Sequence, residues 1–465
     1  MHERAFWLEQ ALLADPAGSS QEHGASLCRW RKGVRLLERD GRIAGIETDA
    51  APGEADIRLG AVVPGLSNLH SHAFQRGMAG LAEAGSAGGD SFWGWREVMY
   101  RFLDRLGPDE MEAIAAMAYA EMLESGFTRV GEFHYLHHAP DGRAYADPAE
   151  MAARIAAAAQ ATGIGLTLLP VFYAHAGFGG LPPEPAQRRF IHGLDDFAAL
   201  LQRCAALLAN APGAVLGVAP HSLRAVTPEQ LAALPALVEG PVHIHVAEQM
   251  REVDACLAWS GRRPVQWLLE HAPVDRRWCL VHATHVQDDE LRAIAGSGAV
   301  VGLCPITEAN LGDGLFPMRE FLQAGGRFGV GSDSNVLIDA AEELRLLEYG
   351  QRLHLRSRNV LAAPGVGTGR SLFDGALAGG ARALGVETGL RVGAPADLVE
   401  LDAAHPALAQ REGDRLLDGW LFAARGGAVR SVWRHGVRQV HEGRHLRREP
   451  IVARYRQALA RLLAP

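Results

Sequence analysis

His70 and His72 flank a single serine at the end of the run AVVPGLSNL, a spacing that can do metal chemistry. In an extended strand residues i and i+2 face the same way, so both imidazoles can reach one point. His245 ends the alternating run VHIH, and Asp333 ends GRFGVGSD. Three imidazole nitrogens and one carboxylate leave a coordination position open to water, the arrangement of catalytic rather than structural zinc. His243 competes with His245, because it lies two residues earlier on the same face of a regular strand. Glu248 favours His245: it follows three residues later, where the strand ends and a carboxylate can swing over a metal. His285 competes in a similar way with His282.

Residues so far apart in sequence need a fold that gathers them. Short β-type runs (AVVPGLSNLHSH, TRVGEF, GLTLLPVFY, AVLGVAPHS, PVHIHVAE, WCLVHATH, GAVVGLCPI, GRFGVGSD) are separated by helical or longer loop segments. Near-continuous apolar strands alternating with helices make a parallel sheet buried on both faces. Eight such runs over roughly 300 residues point to an α/β fold of the (β/α)8 barrel type rather than an open sheet. In that barrel the C-terminal strand ends meet at one face. His70, His72, His134, His221, His245, Glu248, His282 and Asp333, which all end strands, are therefore expected to converge. Residues 1–60 and 391–465 read as short strands with Gly/Asp turns and a terminal helix, a small β-domain built from both ends of the chain. Residues 61–390 form the barrel. No Gly-rich dinucleotide fingerprint opens any unit, since GVGTGR at 365–370 has the wrong spacing and context.

Composition narrows the function classes. The net charge is −8 with no long basic run, which argues against a nucleic-acid partner. Five scattered cysteines without a C-x-x-C pair indicate neither a disulfide framework nor a thiolate zinc site. The opening MHERAFWLEQALLADPAGSS lacks the pattern of a secretory leader, and no stretch approaches 18 uninterrupted apolar residues. The amphipathic EPIVARYRQALARLLAP reads as a docked or exposed helix rather than a membrane anchor. The expectation is a cytoplasmic protein without a membrane partner. Lys32 is the only lysine and lies outside the expected barrel. His137, His138, His175, His192, His271 and His354 are read as loop or surface histidines.

The strings VVPGLSNLHSHAFQRGMAGL, HIHVAEQ, LVHATH and VGSDSN together resemble the amidohydrolase superfamily in its aminohydrolase branch, over essentially the whole chain. More narrowly, SFWGWREVMYRF, EFHYLHH, PHSLRAV and HIHVAEQMREV resemble the formimidoylglutamate deiminase family of histidine degradation. The resemblance implies metal ligands at His70, His72, His245 and Asp333, with one zinc ion per subunit. It implies an acid/base role for Glu248, a catalytic role for His282 beside Asp333, and substrate contacts at Gln75, Arg96, Tyr135, His221 and Arg224. The implied reaction is hydrolysis of the small molecule N-formimino-L-glutamate to N-formyl-L-glutamate and ammonia, by a homodimer.

The residues suit that substrate, which carries two carboxylates and a cationic amidine. Arg96 and Arg224 offer planar forks for carboxylates, and Gln75, Tyr135 and His221 can donate neutral hydrogen bonds. Two rival readings remain. The same centre could act on another amidine or on an aminated heterocycle, which would favour stacking residues over arginines. A non-catalytic, metal-stabilised barrel would dispense with Glu248 or His282, and both are present.

Overall fold

The apolar runs between Leu66 and Val330 leave no wet face for an open sheet, and they close on themselves. The computed structural model of the protein describes residues 3–15, 28–84 and 92–464. Residues 1–2 and 16–20 of the opening stretch, and Ser91 at the head of SFWGWREVMYRF, lie outside the described residues. The barrel strands are β1 (Leu66–Ser71), β2 (Phe127–His134), β3 (Gly165–Phe172) and β4 in two pieces (Val215–Leu216 and Ala219–Pro220). They continue as β5 (Val242–Val246), β6 (Trp278–His282), β7 (Val300–Leu303) and β8 (Arg327–Val330). Every residue of β1, β2, β3, β5, β6 and β7 is buried, as strands covered on both faces require.

Neighbouring strands pair in parallel from β1 to β4 and from β5 to β8. Parallel bridges join these arcs into a ring, Val218 to Val242 and Ser222 to His245 at one seam and Ser71 to Asp333 at the other. At the second seam the His72 amide donates to the Asp333 carbonyl at 2.9 Å, and the Asp333 amide donates to the His70 carbonyl at 2.9 Å. Gly331 makes this approach possible: a Cβ there would lie 2.7 Å from the His70 backbone nitrogen. The result is the expected (β/α)8 barrel. Its closure sets the first and last strand ends side by side.

The chain termini build a second sheet of eight strands. Its order is Arg444–His445, Val437–His441, Val429–Arg434, Leu398–Leu401, Ile57–Pro64, Glu3–Ala14, Cys28–Arg39 and Arg42–Glu47. Phe6, Leu8, Val34, Leu36, Leu398 and Trp433 form a core of its own. The boundary expected between residues 60 and 61 falls inside the strand Ile57–Pro64, which pairs with Glu3–Ala14 and Leu398–Leu401. AVVPGLSNL reads as one run but serves two sheets. Gly65 makes the crossing, packed so tightly that a Cβ would run into the Thr128 side chain.

The terminal helix Arg448–Leu462 docks along the barrel helix Pro108–Glu124. It buries Ile451, Ala458 and Leu462 and makes ion pairs Arg448–Glu124 (2.7 Å), Arg454–Glu112 (2.8 Å) and Arg461–Glu110 (2.8 Å). Exposed pairs of this kind contribute about 0–1 kcal/mol each, so the apolar stripe matters more than the charges. Among the described residues no helix is long and apolar enough to cross a membrane. All five cysteines are buried and unpaired.

Candidate active site

Strand ends place the polar groups, and local backbone distortion aims them. Ala247, His282, Ala283, Asp333 and Asn335 all adopt positive φ, between 43° and 67°. Each such non-glycine residue costs on the order of 1–3 kcal/mol and persists only where its surroundings enforce it. Asn335 is part of that enforcement. Its Nδ2 donates to Ser71 Oγ (3.1 Å), the His72 carbonyl (3.0 Å) and the Asp333 carbonyl (3.0 Å), tying β1 to the end of β8.

One ligand atom from each of His70, His72, His245 and Asp333 comes within 4.8 Å of the others, and all four residues are buried. Their hydrogen bonds test whether a cation fits. His72 Nδ1 lies 2.9 Å from the Phe133 carbonyl and His245 Nδ1 3.2 Å from the His221 carbonyl. A carbonyl only accepts, so both rings carry their proton on Nδ1 and turn a bare Nε2 inward. There His245 Nε2 meets His70 Nε2 at 3.0 Å, and His72 Nε2 meets Asp333 Oδ1 at 3.2 Å. Burial holds His70 down at about 3 and His245 well below its ordinary value, so neither is a cation. Burial raises the Asp333 carboxyl, but His70 and His72 more than offset this and keep it ionised. Converging ring nitrogens and a carboxylate fit a divalent cation.

His243 is not part of this group. It shares the face of His245 but sits two residues, about 6.6 Å, deeper in the barrel. Its Nε2 lies 2.7 Å from the Ala383 carbonyl. His285 likewise stays outside, whereas the His282 ring lies parallel to His245 at 5.5 Å.

His134 departs from the expected convergence. Phe133 and Tyr135 take the site face of that strand end, with Phe133 4.4 Å from the His245 ring, so His134 turns outward onto His137 at 5.3 Å. His137 and His192 are also buried rather than at the surface. They bond the carbonyls of Val171 (3.0 Å) and Phe190 (3.2 Å) and have no place in the site.

A cleft opens over the side chains of His70, His72, His245 and Asp333. Gln75, Arg96, Tyr135, His221, Arg224 and Glu248 line it together with His72, His245 and Asp333, while His70 and His282 do not. Gln75 Nε2 donates to Tyr135 Oη at 2.9 Å, leaving Gln75 Oε1 buried without a partner among the described residues. Arg224 Nε is buried and likewise unpartnered. Burial, and next the Arg224 charge, keep His221 neutral.

Glu248 and His282 face each other across 3.7 Å. Burial alone would strip His282 of its proton, but the carboxylates of Glu248, Glu308 and Asp333 outweigh it and hold the pKa up at about 10. Burial likewise raises Glu248, against the pull of His282.

Several cleft residues escape a search for strand-end chemistry. Trp95, Met99 and Tyr100 come from the helix Phe92–Leu103, and Tyr173 and Phe190 from the segment after β3. Glu308, on the short helix Pro305–Leu311 just after β7, is not at a strand end either. The signal for it was that β7, like β3, is a barrel strand to which the sequence assigned no polar end.

Comparison with known proteins places this geometry in a lineage. Over 99% of both chains the sequence is 56% identical to formimidoylglutamate deiminase of Pseudomonas aeruginosa. At 29% identity over 77% of each chain it also matches a 5-methylthioadenosine/S-adenosylhomocysteine deaminase of Natronomonas pharaonis. Among solved structures, an amidohydrolase from Brucella melitensis superposes with a TM-score of 0.94 at 54% identity, covering 99% of this chain and 100% of the other. An adenosine deaminase from Xanthomonas campestris with bound zinc shares the fold at a TM-score of 0.80 and 22% identity, over 98% of each chain. The sequence profile of the Amidohydrolase family matches residues 61–438, from the end of the first terminal strands through the whole barrel. The chain therefore belongs to the amidohydrolase family.

Proposed function

We propose that the protein hydrolyses N-formimino-L-glutamate to N-formyl-L-glutamate and ammonia, a reaction of histidine degradation. The likeness to the Pseudomonas deiminase over nearly the full length of both chains carries this reading. His70, His72, His245 and Asp333 hold one zinc ion per subunit. Zinc so held lowers the pKa of a bound water from about 15.7 to about 7. Arg96 and Arg224 accept the two carboxylates, and Gln75, Tyr135 and His221 orient the chain between them. Glu248 pairs with the amidinium and carries a proton to its terminal nitrogen, a role suited to a carboxyl raised by burial. Asp333 takes the proton released as water adds to the formimino carbon, and the charge on His282 balances the charge developing there. Collapse expels ammonia. Resemblance to the same family supports a cytoplasmic homodimer. Ammonia release from a panel of amidines and aminated rings tests the substrate. Turnover of an aminated ring with formiminoglutamate untouched would select the rival reading.

Two expected results follow from the site. Active protein should contain one zinc ion per chain. The only lysine, Lys32, lies in the terminal sheet bonded to Glu412 at 2.7 Å and cannot supply a carbamate bridge to a second ion. Metal analysis finding two ions per chain, both needed for activity, would contradict this. Arg224→Met should lower kcat/KM by about ten- to hundredfold, the equivalent of one charge-assisted contact worth about 1.5–3 kcal/mol, with zinc retained. A folded, zinc-loaded variant with unchanged kcat/KM would remove Arg224 from the site.

A further inference from the structure

We propose that Glu308 is a positioning residue: it holds the Nδ1–H of His282 and thereby aims Nε2 at the reacting end of the cleft. The inference deepens the proposed hydrolysis and rests on it for the role of His282. The ring needs an anchor. His282 and Ala283 leave strand geometry, with φ of 67° and 49°, so the strand does not itself dictate how the imidazole stands. Nε2 lies 3.7 Å from both Glu248 Oε1 and Asp333 Oδ2, beyond hydrogen-bond length. Glu308 Oε1, 3.3 Å from Nδ1, is the one hydrogen-bond partner of the ring among the described residues.

That oxygen can only accept. The same Oε1 takes the Cys304 amide proton at 2.9 Å, at the start of the short helix Pro305–Leu311. A group already accepting from a backbone N–H presents a lone pair to the ring, so His282 donates to it from Nδ1. Glu308 is 6% exposed and does not line the cleft, so it reaches the chemistry only through His282. A carboxylate behind an imidazole fixes its orientation and raises the basicity of its far nitrogen. Removing such a partner typically costs about 10–100-fold.

The test compares Glu308→Gln and Glu308→Leu with the wild type, measuring kcat, KM, metal content and melting temperature. The amide keeps the shape and an accepting oxygen but loses the charge; leucine loses both. The expected order of kcat is wild type, then Gln, then Leu. The Gln variant should fall by about 10–100-fold while KM stays within about threefold and metal content is unchanged. If the Leu variant fails to fold, the Gln variant decides alone. Wild-type kcat in Glu308→Gln, a loss residing in KM, or a loss that follows metal content or melting temperature would overturn the assignment. Failure of the wild type to consume formiminoglutamate would count against the substrate only, and the comparison would then be read on whichever amidine or aminated ring it does hydrolyse.

Discussion

Glu248→Gln should keep its zinc, keep its fold and lose about 10²–10⁴-fold in kcat, the usual scale for removing a general acid–base group. The side chain ends the fifth strand, lines the cleft and faces His282, so an amide of the same shape occupies the same space. It can hydrogen-bond the substrate but cannot deliver a proton. In the proposed binding mode the arginines grip the carboxylates, so substrate affinity should change far less than turnover. Isothermal titration of the zinc-loaded variant, set beside its kcat, checks both halves of the expectation. A variant turning over within tenfold of the wild type would place the proton donor elsewhere.

His245→Ala should cost more. Its Nε2 is one of three ring nitrogens converging on the site, and its Nδ1 is held by the His221 carbonyl, which fixes the ring in that orientation. His243 is committed to the Ala383 carbonyl. We expect zinc content to fall well below one per chain. Turnover should drop by at least about 10⁴-fold, since the water's pKa would return from about 7 toward about 15.7. Chelation of the wild type should give the same loss, reversed by added zinc, whereas the variant should not recover. A His245→Ala protein that retains stoichiometric zinc and activity would remove His245 from the ligand set.

Much of this site was legible because barrel strands turn sequence position into spatial position. The period of two set His70 beside His72, and the strand-end rule brought His245, Glu248, His282 and Asp333 to one face. Where reading failed, tertiary packing decided. His134 sits at a strand end but on the wrong side of it, because Phe133 packs against the imidazoles. Glu308 acts through a contact made across two strands, and no local spacing announces that. The sheet boundary was missed for a different reason. AVVPGLSNL is apolar throughout because each of its halves is buried, in different sheets, and composition cannot register the change of partner.

The central claim concerns which bond breaks, because the formimino carbon carries two nitrogens. An amine leaves only once protonated, so the outcome depends on which nitrogen the proton donor reaches. In the proposed binding mode Arg96 and Arg224 hold the carboxylates, which turns the glutamate nitrogen away from Glu248 and the terminal nitrogen toward it. Proton NMR of the products formed by the zinc-loaded protein from N-formimino-L-glutamate reads this directly. The account predicts N-formyl-L-glutamate and ammonia in equal amounts. Formamide and free glutamate as the main products, or no consumption of the substrate, would contradict it.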